Sequence, residues 1–291
     1  MMETSWGVGP KAVLIGLTLL VVVVVVAILL MGDGVQMKRL FASEVQEELD
    51  KATFFAGVFT DEDFASLPAP IERYFRHLGY VGQRKTSTVK IIYDEAAFKN
   101  GNMDLKMYSE QFNFVQEPAR IVYMIAKVGG VIPFEGRDKY QNGEGYMTGK
   151  LAKLFKLFDV TGPEVSQSGL VTTLAECLVV PSYALQDYIT WEEMDEHQAK
   201  ATIRYKGAQA TGIFTISDDC ESATFRSTDR YMDKGSGVFE LVPWRAEVVG
   251  LREQDGIALP SRFRGIWEMP EGDLVYFDSE LSSVDYDVDR L

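Results

Sequence analysis

Cysteine and histidine are nearly missing from this chain of 291 residues, with two of each. Cys177 and Cys220 lie far apart and share no metal-ligand or redox spacing. That excludes a zinc centre, a disulfide framework and a thioredoxin-type motif. Two free thiols are the default, and a disulfide would need an oxidising compartment. His77 follows Arg76 on a polar helix face, and His197 falls in an acid-rich turn. Both read as surface residues, so a histidine-based triad is poorly supplied. Neither a G-x-S-x-G elbow nor an H-E-x-x-H helix is present. Gly143 to Lys150 resembles a phosphate loop only loosely, because the position five before the Gly149-Lys150 pair is Glu144. A hairpin at Gln141-Asn142-Gly143 is the better reading.

Positive charge is also scarce. Lys and Arg total 29 against 43 Asp and Glu, a net charge of −14. Phosphate contacts need clustered Lys and Arg, so nucleic acid is excluded as a partner. The acid clusters Glu192-Glu193-Asp195-Glu196 and Asp285-Asp287-Asp289 lack the D-x-D-x-D-G spacing of a calcium loop. They read as solvated turns and a tail. No metal ligand set and no cofactor motif is expected.

What the chain has in plenty is one apolar run. Ala12 to Met31 carries no charge over twenty residues. As a helix it would be about 30 Å long, the depth of a bilayer's hydrocarbon core. It exceeds a signal-peptide core, and no A-x-A cleavage pattern follows it. No cysteine follows for lipid attachment. The run is therefore expected to be an uncleaved single-pass anchor, with the lipid bilayer as partner through residues 12–31. Lys11 on one side and Lys38, Arg39 and Lys51 on the other lean towards a cytoplasmic domain. The difference is too small to set the side.

Three segments follow from this: a tail and transmembrane anchor over 1–34, an amphipathic connector helix over 35–59, and one domain over 60–291. Met37, Leu40, Phe41, Val45 and Leu49 give the connector its helical spacing. Gly32-Asp33-Gly34 separates it from the anchor. Pro70 opens a second short helix, Ile71 to Leu78, closed by Gly79. From Lys85 the period becomes that of strands, near 85–93, 103–115, 119–128, 134–140, 145–148, 188–193, 197–206, 210–217, 221–231, 238–250, 259–269 and 274–286. Two helices interrupt them. Lys150 to Phe158 puts Lys150, Lys153 and Lys156 on one face, and Ser168 to Val180 is nearly all apolar. The fold class is α+β: an N-terminal transmembrane helix, then a large antiparallel sheet covered by helices.

One ionisable residue stands out. Glu176 lies in Leu174-Ala175-Glu176-Cys177-Leu178-Val179-Val180. A carboxylate there must be paired, protonated or marginal, since burying a bare charge is costly. It reads as a structural pair with Arg204, Arg230 or Arg120, as the polar floor of a ligand pocket, or as a catalytic acid. Of the four tryptophans, Trp6 is N-terminal, while Trp191, Trp244 and Trp267 lie in or beside the late strands. With Phe214 and Phe225 they form one sheet face, either core under a helix or the lining of an apolar cavity.

The residues Leu67-Pro68-Ala69-Pro70-Ile71-Glu72-Arg73-Tyr74, Leu174-Ala175-Glu176 with Pro181, Trp191, Arg230, Pro243-Trp244, Gly256 with Pro260, and Trp267 resemble a mostly bacterial family known only as a domain of unknown function, often with an N-terminal membrane segment. The resemblance runs from about residue 60 to 287. It departs at Thr172-Thr173, where an Arg-Tyr pair is expected. The family's element order is similar to that of lipoprotein-carrier domains, open half-barrels that hold acyl chains under a helical lid. The resemblance thus implies a lid at Lys150 to Phe158 or Ser168 to Val180. It implies no assigned activity.

The sequence-level expectation is a membrane-anchored binding protein with an apolar pocket for a lipid or lipid-like ligand. Glu176, Trp191, Arg230, Trp244 and Trp267 are its candidate ligand-binding residues, around a cavity of roughly 300–1,000 Å³. A membrane-bound scaffold with a filled sheet, and an enzyme built on carboxylates, are the alternatives.

Overall fold

The structure, a computed structural model, describes residues 10–100 and 103–291; the side chains of residues 10, 12, 28–35, 100 and 103 are outside that description, as is Trp6. Helix α1 (Pro10–Lys51) is continuous. The break expected at Gly32-Asp33-Gly34 is absent, because a glycine inside a helix costs only about 1 kcal/mol and keeps its backbone hydrogen bonds. The helix also stops at Lys51 rather than running on to residue 59. Val13 to Val26 expose their apolar side chains. Among the described residues no helix is long and apolar enough to cross a membrane. The transmembrane helix expected over residues 12–31 is therefore not among the elements shown.

The later half of α1 behaves differently. Met37, Phe41, Val45 and Leu49, spaced by four, are buried against Phe112, Phe114, Ala119, Ile121 and Tyr123. One apolar stripe along the helix thus docks on a sheet. A short helix α2 (Asp61–Ala65) follows, fixed by a capping box between Thr60 and Asp63. Helix α3 (Ala69–His77) begins after Pro68 and buries Ile71, Tyr74 and Phe75.

The strands are β1 (Thr88–Asn100), β2 (Met103–Phe114), β3 (Ala119–Val128), β4 (Ile132–Gln141), β5 (Glu144–Leu151), β6 (Phe155–Thr161), β7 (Ile189–Glu193), β8 (Gln198–Tyr205), β9 (Ala208–Ile216), β10 (Ser222–Ser227), β11 (Tyr231–Asp233), β12 (Phe239–Leu241), β13 (Trp244–Gln254), β14 (Ile257–Met269), β15 (Gly272–Glu280) and β16 (Ser283–Tyr286). Among the described residues they form one large antiparallel sheet. Its order is β6-β5-β4-β3-β2-β1-β15-β14-β13-β10-β9-β8-β7, with β16 beside β1 and the β11-β12 ribbon apart. The first and last strands do not pair, so the sheet is open.

Helix α4 (Pro163–Ala175), a 3₁₀ turn at Glu176–Leu178 and α5 (Pro181–Ala184) follow β6. α4 packs on β4, β5 and β6 at one end of the strand order and on β8 and β9 at the other. A sheet that touches one helix with both flanks must wrap round it. Side-chain contacts agree: the hydroxyl of Tyr205, the last residue of β8, donates to Glu117 in the β2–β3 turn at 2.6 Å. The wrap is tight where α4 crosses β5. A Cβ on Gly145 would lie 2.5 Å from the backbone of Val165, so only glycine fits there.

Lys150 to Phe158 is not a helix. It is the β5–β6 hairpin, turning at Ala152 and Lys153, which both have positive φ. The lid expected there does not exist, and the covering helix on the concave side is α4. That helix also begins at Pro163, five residues before the expected Ser168. The Asn142-Gly143 turn is a hairpin as expected, with both residues at positive φ.

Candidate functional site

Strand alternation decides what faces α4. On β2 the concave row runs Leu105, Met107, Ser109, Gln111, Asn113, following its register with β1 and β3. It is apolar at one end and polar at the other. The remaining concave rows align with it, so the wrapped face divides into an apolar mouth and a polar floor.

At the mouth an apolar groove of about 250 Å³ lies between β1 and β6. Phe98, Leu105 and Met107 line it from β1 and β2, and Met124 and Phe134 from β3 and β4. Met147, Leu157 and Phe158 complete it from β5 and β6. Two glycines open the space. A Cβ on Gly149 would lie 2.4 Å from the Phe158 ring, and one on Gly136 would lie 3.2 Å from Met124 and Phe134. The two phenylalanine rings therefore settle over glycine, 6.4 Å apart, instead of standing up into the groove. Three methionines give its wall a soft, adaptable surface.

The floor is a closed polar cluster. Glu176, only 5% exposed, accepts from Gln111 Nε2 at 2.7 Å, from Arg120 Nε at 2.7 Å and from the Asn113 amide. Arg120 also bridges to Asp138 on β4 and donates to Gln111 Oε1 at 3.2 Å. Burial alone would pull the Arg120 guanidinium down, but Asp138 and Glu176 outweigh it and hold it above its usual range. Burial, reinforced by the Glu176 charge, raises the Tyr93 hydroxyl and the Cys177 thiol. The Glu176 and Asp138 carboxylates, the Arg120 guanidinium and the two amides are thus committed to one another. A general acid or base must reach a substrate proton, and Glu176 reaches only its donors.

Of the three arginines considered for Glu176, Arg120 is the partner. Arg204 donates to Thr190 instead. Arg230 lies one turn earlier along α4, where it donates to the Ser168 carbonyl at 3.1 Å and to the Thr172 hydroxyl. Its guanidinium stacks 4.4 Å from the Trp244 ring centre and 5.5 Å from that of Trp267. Trp244 and Trp267 are cross-strand partners, 1% and 7% exposed. Trp191 stands at the far end of an aromatic row, Trp191–Phe214–Phe225–Trp244, with centroid spacings of 5.1, 4.8 and 6.2 Å.

Arg230, Trp244 and Trp267 thus come together, Trp191 joins them only through Phe214 and Phe225, and Glu176 belongs to the floor. None of the five lines the groove. The nearest link is a ring contact series, Trp267 to Tyr276 at 5.8 Å and Tyr276 to Phe98 at 6.1 Å. Sequence reasoning passed over the methionines and Gly149. Their signal was the strand alternation that puts Met107, Met124 and Met147 on one face.

His197 is held by Glu196 and Asp218 in an open acidic hollow at the surface. Both cysteines are buried and free. Among the described residues no group of three or more His, Cys, Asp or Glu is placed to hold a metal ion.

An antiparallel sheet wrapped round one helix, with an apolar groove at its mouth, defines the class: an α+β domain of half-barrel type. The chain belongs to DUF6544, a family of unknown function, whose model matches residues 57–279. No curated protein matches it. Among solved structures it is similar to a LolA superfamily protein, NE2245 from Nitrosomonas europaea. Identity there is 8% and the TM-score 0.37, over 75% of this chain and 94% of that one. It is also similar to a β-barrel-like protein of the DUF1849 family from Brucella abortus, at 10% identity and a TM-score of 0.24, over 70% and 99% of the two chains. Likeness at this level fixes neither ligand nor activity.

Proposed function

We propose that this chain is a membrane-tethered binding protein whose groove takes an apolar chain from a lipid or lipid-like molecule. The observation that carries this reading is the groove itself, apolar on every strand that lines it and kept open by Gly136 and Gly149. Its volume of about 250 Å³ falls just below the ~300–1,000 Å³ usual for small-ligand sites, which suits one alkyl segment better than a whole two-chain lipid. Tethering rests on α1. Its described apolar stretch is shorter than the ~20 residues a span needs, and the sequence supplies the remainder through Met31.

A scaffold reading draws on the other flank, where Trp191, Phe214, Phe225 and Trp244 fill the sheet face. It leaves the methionine-lined groove without a purpose. The carboxylate enzyme has less support, because Glu176 already accepts hydrogen bonds from Gln111, Asn113 and Arg120 in the closed floor.

Native mass spectrometry of the full chain, released from membranes in mild detergent, tests the proposal. A co-purifying fatty acid or lipid that is lost from Gly149→Trp supports it. A bare protein mass that persists after incubation with fatty acid removes it.

A further inference from the structure

The hairpin turns nearest the groove share one end of the sheet. β3 and β4 turn after the pair Val128 and Ile132, and β5 and β6 after Leu151 and Phe155. Phe134 pairs with Ala126 on one side and Leu151 on the other, so the two turns are neighbours at the groove mouth. Both tips are apolar and bare. Val131 is 79% exposed and Phe155 67%, with Ile132, Leu154 and Leu157 exposed beside them. Apolar residues gathered at one exposed place, rather than scattered singly, mark a contact surface.

The direction of α1 says what covers them. Glu48 meets Gln141 and Glu44 meets Arg137, so the helix, followed towards its N-terminus, moves down β4 towards Ile132. Its exposed apolar segment, Val13 to Val26, therefore leaves the domain at the end that carries Val131 and Phe155. Lysines flank the same tips: Lys127 is exposed, Lys153 lies 3.6 Å from Glu135, and Lys156 pairs with Asp159. Long cationic side chains round an apolar tip suit the headgroup layer, where the stem stays in apolar surroundings and the charge in water.

We propose that this end of the sheet is a bilayer-contacting surface. The β3–β4 and β5–β6 tips seat in the interface of the membrane that holds α1, and the groove mouth opens onto its acyl region. This rests on the tethered-binding reading above and adds the route by which the ligand arrives: sideways from the leaflet, not through water.

The test uses the full chain in phosphatidylcholine vesicles, with Val131→Cys or Phe155→Cys carrying an environment-sensitive fluorophore. Gln116→Cys, in the exposed β2–β3 turn at the opposite end, is the comparison. Cys177 and Cys220 are buried, and unsubstituted protein measures any labelling they allow. Emission at 131 and 155 should shift to the blue and be quenched by lipids with a shallow spin label, while 116 stays water-like. Water-like emission at all three positions, in protein that remains in the vesicles and still takes up a fatty-acid probe, overturns the inference and leaves the groove reading standing. Quenched tips without uptake would do the reverse. As a second measurement, Val131→Asp with Phe155→Asp should slow probe uptake from vesicles several-fold and leave uptake of dissolved probe unchanged. An unchanged rate from vesicles counts against the surface as firmly as unquenched tips.

Discussion

Glu44 on α1 and Arg137 on β4 form an ion pair beneath the docked helix, with both side chains almost wholly buried. Lys139 adds a second contact to the same carboxylate at 2.8 Å, and the Arg137 guanidinium stacks 4.6 Å from the Tyr146 ring centre. The pair joins the helix that bears the apolar segment to the strand that helps line the groove. Glu44→Ala should destabilise the docked helix by about 3 kcal/mol, the cost of leaving a buried arginine without its carboxylate. Glu44→Gln should cost less. Denaturant unfolding of the full chain in mild detergent, with limited proteolysis after Lys51, measures both. Equal stability and equal protection in Glu44→Ala would show that the helix is held by its apolar stripe alone.

Glu176 and Arg120 make the second buried pair, and here the arginine has a reserve partner in Asp138. Removing the carboxylate also takes one acceptor each from Gln111 and Asn113, which keep the Asn113 Oδ1 and the Tyr183 hydroxyl as partners. Glu176→Ala is therefore expected to cost about 3 kcal/mol, at the low end for a broken buried pair. Glu176→Gln, which keeps some hydrogen bonds, should lose less. Thermal unfolding of the two variants would reveal the order. A wild-type melting curve for Glu176→Ala would mean that the floor is not a structural cluster.

The convex side of the sheet carries an arginine–carboxylate network that sets the acid limit. Burial would raise the Glu268 carboxyl, but Arg226 and Arg245, each 2.8 Å away, bring it below its ordinary 4.5. Burial likewise would raise the Asp278 carboxyl, but Arg262 and Arg264 outweigh it and bring it below its ordinary value. A carboxyl whose folded pKa is depressed contributes stability in full above its unfolded value and loses it as pH falls through the folded one. Unfolding free energy should hence stay level down to about pH 4.5 and decline below it. Glu268→Gln should make that decline shallower and cost about 1 kcal/mol at neutral pH, since Arg226 is half exposed. An acid limb identical to wild type would remove Glu268 from the account.

Much of the sheet was legible because its strands alternate cleanly and its turns carry Asn142-Gly143, Lys206-Gly207 and Asp255-Gly256. The β5–β6 hairpin was not. Lys150, Lys153 and Lys156 with Leu151, Leu154 and Phe158 mimic a helix period, and the turn places non-glycine residues, Ala152 and Lys153, at positive φ. No local residue announces such a turn, and pairing with β4 imposes it. Misreading that hairpin hid Leu157 and Phe158 from the groove. The capping box at Thr60 and Asp63, which starts α2, is legible in the sequence as Thr followed three residues later by an acid. Arg120 could be offered only among three arginines, because the pairing that brings β3 under the end of α4 is long-range. The tryptophans drew notice by size, whereas the methionine groove depends on which strand face a wrapped sheet turns inward.

The most direct measurement is equilibrium binding of a fluorescent fatty acid to the detergent-solubilised full chain, wild type beside Met124→Trp and Trp267→Phe. Met124 lines the groove and Trp267 does not. Saturable binding to wild type and to Trp267→Phe is expected, with at least a tenfold loss, about 1.4 kcal/mol, in a Met124→Trp protein that melts normally. Equal binding by Met124→Trp, or no saturable binding by wild type, would contradict the groove as the ligand site.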